Sequence, residues 1–576
     1  MIKRFAILFV LLLSACSLGN DVLPTVVPVV ATAVPPSTAT LPPPIPTNTA
    51  TAVPPTQMSL PTITSMPQDD LGIRAGDIRL YPVSQIYSGD LVTFQLLPFV
   101  PAEIAPENVS VHVLVDDRIV VSGVLDGRNL GGSTEALYKW AWDTTDASGL
   151  HQVQVILDRD DSIVAGDTNP DNNLASLTVN VQPETARPRT EANAEWLTAQ
   201  SACCLIHAIS GTAAGRDLSQ LLTTVETAVQ QASLRLNEPL QSQIEIYFVD
   251  KVIGQGGYAS GYMVISYLDR HYAGNGLHHV LVHEATHVLD RQFAPQRIIF
   301  LTEGLAVWAS DGHFKTDDLN QRSAAVVATG NYVPLAELVN DFYNAQHESS
   351  YVQAAGFITY LIETYGWPSF RAFYSDVTAD DASTLAEALN LNLQAYYGKS
   401  LTQMETDWLA YLESLPPDRT QVTDLLTTIR YYDVMRRYQT VYDPTAHFLT
   451  AWLPSPPEVQ EQGNTADLTR HPHTDTHVAL DTMLQSADTA VRAGDYNLAN
   501  VLLDSVTRVL DNEGTFIDPM AVNYLNIVHS ARALGFEAQK ITLTGTRAQV
   551  MATAVNKTSL TRLDFTLSGG DWVLTN

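Results

Sequence analysis

The sequence predicts a multidomain fold: a β-sandwich, an α+β domain, a helical region and a small C-terminal β-meander. The chain has 576 residues, which is too long for one ordinary domain and suggests roughly three or four. Short segments of alternating apolar and polar residues fill the first part after residue 70, and helical periodicity dominates the middle. Hydrophobic residues make up 45% of the chain, which is enough material for several packed cores.

The first sixteen residues, MIKRFAILFVLLLSAC, have the pattern of a secretory signal. Lys3 and Arg4 precede an apolar run that is too short for a permanent membrane span. The ending LSAC resembles the lipobox of bacterial lipoproteins. That resemblance implies that residues 1–15 are a lipoprotein signal peptide and that Cys16 carries lipid. The protein would then be extracytoplasmic and lipid-anchored to the cell envelope. The alternative is an ordinary signal peptide with a chance cysteine.

Residues 16–70 predict a linker, because proline and threonine dominate most of this stretch. Such a composition cannot build a core and favours an extended, semi-rigid spacer. No later segment has the length and apolarity of a membrane span. Membrane contact is therefore expected through the N-terminal lipid only.

Residues 71–183 predict the β-sandwich, because short alternating segments are separated by turn residues. The end of this region, DTNPDNNLASLTVNV, resembles adhesion-related bacterial domains of immunoglobulin-like fold. The predicted strands cover residues 91–99, 109–115, 118–125, 137–142, 151–157 and 174–181.

An aspartate-rich stretch follows the fifth of these strands. It lacks the spacing of a known calcium loop, and Asp and Asn favour turns for local reasons. A solvated turn is therefore favoured over a calcium site. The residues are Asp158, Asp160, Asp161, Asp167 and Asp171.

Residues 195–415 predict the α+β domain, with strands at 203–210, 243–250 and 262–268 and a helix at 216–236. Cys203 and Cys204 are adjacent, and neighbours in a strand point to opposite faces. We expect two small apolar fillers there, without a disulfide or a redox role.

The stretch VLVHEATHVLD, residues 280–290, predicts a metal-binding helix. His283 and His287 are four residues apart and share one helix face, so both can reach one ion. Glu284 follows the first histidine, where a base can take a proton from water. The alternative is a polar accident on an apolar helix.

A catalytic zinc ion needs a third protein ligand. The pattern HExxHxxGxxH is excluded, because positions 290 and 293 are Asp and Phe. The other pattern takes a glutamate from the next helix, and FLTEGLAVWAS offers Glu303. The expected Zn²⁺ ligands are therefore His283, His287 and Glu303.

HEATHVLD followed by FLTEGLA resembles the gluzincin metallopeptidases, in particular the bacterial peptidase MA-like domains. The likeness extends over most of residues 195–413 and includes GGYASGYMVISY and YVQAAGFITYLIETYG. It implies a zincin-like (thermolysin-like) metallopeptidase fold with Glu284 as the general base. Tyr351 is the candidate for stabilising the oxyanion, with packing as its alternative role.

The resemblance also implies how substrate is bound. The strand GYMVISY lies just before the zinc helix, and in related folds such an edge strand pairs with extended substrate. The expected residues are Gly257, Tyr258 and Tyr262, where glycine would let a substrate main chain come close. A plain flexible hairpin is the alternative. Thermolysin-like enzymes place an aspartate four residues after the third ligand, whereas this chain has Val307. Asp290, Asp311 or backbone carbonyls are the expected substitutes.

Several other histidines are possible metal ligands by residue type. His279 is expected at the rim of the cleft or in packing, and His278 is expected to face elsewhere. His313 could reach the cleft, but no feature of the sequence requires it. The cluster HPHTDTH at 471–477 is expected to be a polar loop rather than a metal tract.

The remainder of the sequence predicts a helical region at 420–535 and a β-meander at 538–576.

The chain carries 62 acidic residues against 32 basic ones, for a formal charge of -30. This excludes a nucleic-acid partner, because phosphate binding needs clustered Lys and Arg. The sequence therefore predicts a surface-tethered zinc metallopeptidase acting on peptide or protein. The alternative is a non-catalytic surface lipoprotein that uses the same domains for binding or adhesion. Oligomeric state is not predicted.

Overall fold

The computed structural model describes residues 70–274 and 276–575. The predicted signal peptide, Cys16 and nearly all of the predicted linker lie outside these residues. Within the described ranges, none of the helices combines the length and apolarity needed to cross a bilayer.

Two β-sheets enclose one core in the N-terminal part. The first sheet has the order β1-β3-β7-β6, and the second has the order β2-β9-β8-β4-β5. Apolar side chains from both sheets, such as Phe94 and Val155, belong to one buried cluster. We call β1–β9 the N-terminal sheet pair. Its strands are β1 Ile78–Tyr81, β2 Ile86–Tyr87, β3 Leu91–Leu96, β4 Ser110–Val115, β5 Arg118–Val124, β6 Gly127–Arg128, β7 Thr134–Asp143, β8 Gly149–Leu157 and β9 Leu174–Gln182.

The six predicted strand segments coincide with β3, β4, β5, β7, β8 and β9. The other three strands have two to four residues, which is too short to show alternation. The expectation of a solvated acidic turn is wrong for Asp158 and Asp167, which are buried. Asp158 accepts hydrogen bonds from Ser162 Oγ and the Ile163 N–H, both at 2.8 Å, so it closes its own loop.

The central sheet has the order β10-β11-β12-β14-β13. Strands β11, β12 and β14 run parallel, whereas β10 and β13 pair antiparallel with their neighbours. The strand that carries GYMVISY is therefore internal, and the edge beside the following helix is β13. The strands are β10 Trp196–Gln200, β11 Cys204–Ile209, β12 Ile244–Val249, β13 Gly257–Ala259 and β14 Met263–Ser266.

Ten helices accompany this sheet in the described chain up to residue 415. They are α1 Arg189–Ala192, α2 Ala213–Leu236, α3 Leu277–Asp290, α4 Ile299–Ala309, α5 Leu319–Ala328, α6 Leu335–Asn340, α7 His347–Tyr365, α8 Trp367–Asp376, α9 Leu385–Tyr397 and α10 Leu401–Glu413.

Cys203 and Cys204 form a disulfide, which corrects the prediction of two unbridged fillers. Strand β11 begins at Cys204, so Cys203 lies in the preceding bend and outside the alternating pleat. Because Cys203 is not held by the strand geometry, its side chain can turn to the same side as that of its neighbour.

The C-terminal part is helical and then forms an antiparallel sheet in sequence order, β15-β16-β17-β18. Its core includes Leu268, Tyr272 and Phe314 from the preceding region. This core therefore also takes a few side chains from before residue 415, and the predicted domain bounds stay a prediction. The elements are α11 Arg419–Tyr442, α12 Pro456–Glu461, α13 Ala466–Thr469, α14 Asp475–Arg492, α15 Tyr496–Asp511, α16 Pro519–Ala533, β15 Phe536–Thr544, β16 Arg547–Ala554, β17 Leu560–Ser568 and β18 Asp571–Leu574.

Candidate metal centre

Helix α3 carries the motif residues along one side of a cleft. Its buried residues, including Leu281, Ala285 and Leu289, belong to the core of the central region. This packing leaves His283, Glu284 and His287 to line the cleft. Glu284 and His287 are only 5% and 8% exposed, so both residues are largely buried in the wall of the cleft.

Helix α4 brings Glu303 to the same place. Glu303 Oε2 lies 3.1 Å from His283 Nε2 and 3.6 Å from His287 Nε2. One donor atom from each of the three residues lies within 4.8 Å of the others. The close approach of α4 to α7 depends on Gly304, where a Cβ would lie 2.8 Å from the Ala354 carbonyl group.

The donor set fits zinc. Zn²⁺ prefers imidazole nitrogen and carboxylate oxygen, and catalytic sites use three such protein ligands. The two imidazole rings lie 4.7 Å apart and nearly perpendicular, and both Nε2 atoms approach the same carboxylate oxygen. The three residues therefore present converging donors, which is the arrangement that a single small cation requires.

Burial and mutual contact set the charges of these groups. Burial alone would raise the pKa of Glu303, but hydrogen bonds from His283 and His287 outweigh it and hold that pKa well below its usual value. Burial would lower the pKa of His283, but the hydrogen bond to Glu303 and the charge of Glu284 raise it overall. For Glu284, burial dominates and raises the pKa to about 7.

Tyr343, in the loop after α6, is a site residue that the sequence did not indicate. Its hydroxyl donates to Glu303 Oε1 at 2.8 Å, on the carboxylate oxygen that does not face the histidines. Burial and the Glu303 charge raise the pKa of Tyr343 far above its usual value, so it remains a donor. A tyrosine in a loop forty residues beyond Glu303 gives no local sequence signal.

Tyr351, in the second turn of α7, lines the cleft, and its ring lies 6.3 Å from the His283 ring, measured between centroids. His313 stacks on Tyr351 at 4.5 Å and also lines the cleft. Its Nδ1 lies 2.7 Å from Glu348 Oε2, and Glu348 accepts a further hydrogen bond from Arg322 at 2.8 Å. His313 is therefore fixed through its Nδ1, although no feature of the sequence required it at the cleft.

The two proposed substitutes for the missing aspartate do not take that role. Asp290 pairs with Arg297 at 2.8 Å and accepts from Tyr374 at 2.5 Å. Asp311 pairs with Arg235 at 2.8 Å. Among the described residues, His287 Nδ1 has no hydrogen-bond partner.

The predicted substrate residues separate into two groups. Gly257 and Tyr258 lie on the edge strand β13 and line the cleft. Tyr262 lies outside it, because its hydroxyl donates to Ser455 Oγ at 3.1 Å. Gly257 is required for another reason than the predicted one, since a Cβ there would lie 2.8 Å from the Val264 carbonyl oxygen of β14.

The cleft has a volume of about 570 Å³ and extends beyond the donor set to residues from distant parts of the chain. Leu130 comes from the N-terminal sheet pair and Phe448 from the segment after α11. Arg291, at the end of α3, donates to the Ala259 carbonyl oxygen at 3.0 Å and so covers one end of β13. The cleft is therefore built by three regions that the sequence treated as separate.

The remaining histidines lie as follows. His278 Nε2 lies 2.8 Å from Gln231 Oε1, away from the cleft, whereas His279 lines the cleft and contacts Thr316. The 471–477 cluster ends on α14, which begins at Asp475 and so includes His477. The donor set at His283, His287 and Glu303 is the one such group of metal-ligating side chains in residues 70–274 and 276–575.

No family model matches this chain, and no curated protein matches it. The resemblance to peptidase MA-like domains therefore stays a prediction. Among solved structures, the chain is similar to an M1 zinc metallopeptidase from Deinococcus radiodurans, at 13% identity over 59% of this chain and 92% of that one, with a TM-score of 0.27. A mutant M1 zinc metallopeptidase from the same organism, bound to a Tyr-Ser-Ala substrate, is 15% identical over 58% and 74% of the two chains, with a TM-score of 0.27.

The N-terminal part is similar to the CARDB domain of a Pyrococcus furiosus protein, solved in complex with di-metal ions. The identity is 18% over 19% of this chain and 87% of that one, with a TM-score of 0.16. Likenesses with TM-scores this low do not bear on activity. The geometry of the cleft is the basis for the function proposed below.

Proposed function

We propose that this protein is a zinc-dependent metallopeptidase that hydrolyses peptide bonds, with His283, His287 and Glu303 as zinc ligands and Glu284 as general base. The observation that carries the proposal is the convergence of three zinc-type donors within 4.8 Å, beside a buried glutamate in the same cleft. Zinc bound there supplies Lewis-acid activation of water and of the scissile carbonyl group.

Glu284 is placed to move the protons of the reaction. It accepts a proton from the attacking water and returns it to the leaving amide nitrogen. Burial raises the pKa of this carboxyl to about 7, and such a value suits a group that must accept and release a proton near neutral pH. Its position next to His283 keeps it in the cleft without making it one of the converging donors.

Two further groups are placed to stabilise negative charge on the carbonyl oxygen. Tyr351 faces the cleft beside His283, and His313 stacks on Tyr351 with its Nδ1 fixed by Glu348. Burial and nearby acidic groups raise the pKa of Tyr351 far above its usual value, so its hydroxyl remains a hydrogen-bond donor.

The edge strand β13 is the proposed binding edge for substrate. Because β13 pairs with β14 on one side only, its other side can pair with an extended peptide. Gly257 and Tyr258 line the cleft on this strand. This arrangement favours polypeptide in an extended conformation as the substrate class.

The test compares the protein with its Glu284→Gln variant and with Glu226→Gln, which changes an exposed glutamate on α2. Zinc is measured by mass spectrometry and activity by cleavage of casein. We expect about one zinc ion per chain in all three proteins and a loss of roughly 10²–10⁴-fold in rate for Glu284→Gln alone.

Two results would contradict the proposal. An absence of zinc from all three proteins would refute the metal centre. Zinc without cleavage by the parent, on casein and on a peptide library, would favour the non-catalytic binding protein.

We further propose that the protein is tethered by lipid at Cys16, on the evidence of its N-terminal sequence alone. The test expresses the full chain and its Cys16→Ala variant in bacteria supplied with radiolabelled palmitate. The label is expected on the parent and not on the variant, because Cys16 is the proposed site of the lipid. Absence of label from the parent would refute the lipid anchor.

A further inference from the structure

We propose that the N-terminal sheet pair forms part of the substrate cleft, where Leu130 and Phe448 provide an apolar subsite for a large apolar side chain of an extended polypeptide. This inference rests on the proposed peptidase function and specifies its substrate. The sheet pair would then select substrate, instead of serving only as a spacer.

Leu130 lies at the tip of a fixed turn between β6 and β7. The Asn129 N–H donates to the Ser133 carbonyl oxygen at 3.0 Å, and the Ser133 N–H donates to Asn129 Oδ1 at 3.1 Å. Gly132 has a φ of +81°, a left-handed conformation that favours glycine and closes the turn. The turn therefore holds Leu130 at the cleft with 49% of its surface exposed.

The turn that carries Leu130 is hydrogen-bonded directly to the segment that carries Phe448. The Gly131 N–H donates to the Leu449 carbonyl oxygen at 3.1 Å, so Leu130 and Phe448 each precede one partner of this hydrogen bond. The Phe448 ring contacts the Tyr343 ring at 6.3 Å, and Tyr343 donates to Glu303. A chain of direct contacts thus links the sheet pair to the third donor of the metal centre.

The sheet pair is held in this position by buried contacts, because residues 443–470 pack against it. Arg470 forms an ion pair with Asp90 at 2.5 Å, and both side chains are at most 4% exposed. Arg79 donates to the Thr450 carbonyl oxygen at 2.7 Å. Contacts of this kind oppose rotation of the sheet pair, so Leu130 is a fixed part of the wall.

The chemistry of the wall selects the class of side chain. Leu130 offers only an apolar surface, and an exposed leucine gains free energy when a second apolar group covers it. Phe448 is 9% exposed and has the Arg436 guanidinium over its ring at 4.2 Å, so it supports the subsite from behind. Because the subsite and β13 line the same cleft, a peptide paired with β13 is expected to place a side chain there.

The first test does not depend on catalysis. In the full chain with Glu284→Gln, p-benzoylphenylalanine replaces Leu130 in one protein and Leu150 in another. Leu150 is 74% exposed on β8 of the same sheet pair and does not line the cleft. The probe is fluorescent, reduced and carboxymethylated lactalbumin. We expect photocrosslinking at position 130 and little at position 150. Equal labelling at the two positions would overturn the subsite.

The second test measures kcat/KM for two quenched fluorescent decapeptides that differ only in one Phe or Asp side chain. Leu130→Asp is expected to lower kcat/KM for the Phe peptide by about tenfold, which is typical of one apolar contact. Leu130→Asp should keep the zinc content of the parent. The control variant Leu150→Asp should keep both the zinc content and the kcat/KM values of the parent. An unchanged Phe-to-Asp preference in Leu130→Asp would refute the subsite. If the parent cleaves neither these peptides nor casein and the peptide library, the peptidase proposal fails, while crosslinking at position 130 still decides the subsite.

Discussion

Replacement of Tyr343 by phenylalanine removes a single oxygen atom from the outer side of the proposed metal centre. In the structure that oxygen donates to Glu303 Oε1 at 2.8 Å, while Glu303 Oε2 faces the two histidines. The ring packing with Phe342 and Phe448 is kept by phenylalanine. The substitution therefore tests the hydrogen bond and little else.

The expected magnitude follows from the charge of the acceptor. A hydrogen bond to a charged group contributes about 1.5–3 kcal/mol, and partners of metal ligands typically change metal affinity by roughly 10–100-fold. Glu303 is 8% exposed, so water cannot easily replace the lost donor. We expect Tyr343→Phe to weaken zinc binding by about 10–100-fold.

The assay is competition for zinc against a chromophoric chelator at fixed pH and salt. Tyr411→Phe is the matched control, because Tyr411 lies on α10 and packs on Tyr360, away from the cleft. Equal zinc affinity in the parent and in Tyr343→Phe would refute the argument that Tyr343 orients Glu303. A loss of affinity in the control as well would show a general effect on the fold.

Two further predictions concern stability. Gly304→Ala should lower the melting temperature in calorimetry, because the new Cβ would lie 2.8 Å from backbone atoms of α7, and overpacking costs about 1–3 kcal/mol. A higher melting temperature would show that helix propensity, which favours Ala by about 1 kcal/mol, outweighs the close approach. Burial lowers the pKa of Lys251 from 10.5 to about 8. Between these pH values the unfolded chain therefore holds a proton on Lys251 that the folded chain has released. The stability difference between the parent and Lys251→Met in denaturant unfolding should therefore shift in favour of the parent by up to roughly 3 kcal/mol from pH 8 to pH 10.5; a difference that does not change with pH would contradict the assignment.

The proposed ligands could be predicted because their spacing in the sequence is short enough to be interpreted locally. Two histidines on one helix face and a glutamate on the next helix require only that both helices form, and α3 and α4 do. The strands of the N-terminal part could be predicted for a similar reason, since more exposed and more buried residues alternate along the nine residues of β8.

The outer parts of the site depend on contacts between residues far apart in sequence. Tyr343 reaches Glu303 from a loop, and Glu348 fixes His313 across α7. The edge strand was misplaced because GYMVISY is the stronger apolar segment, while the three-residue β13 shows almost no pattern. Apolarity indicates the buried strand, and the edge strand proposed for substrate gives the weaker sequence signal.

The attachment of the N-terminal sheet pair to residues 443–470 determines when, during synthesis of the chain, the cleft can assemble. A ribosome completes residues 71–183 early, and domains generally fold as they emerge. Arg470, which pairs with Asp90 of the sheet pair, is synthesised 380 residues after that aspartate. The wall that carries Leu130 therefore cannot take its final place against Leu449 until most of the chain has been made. During synthesis, the helices that carry the proposed metal ligands emerge before the cleft around them is complete, so the proposed active site is not assembled until residues 443–470 have been made.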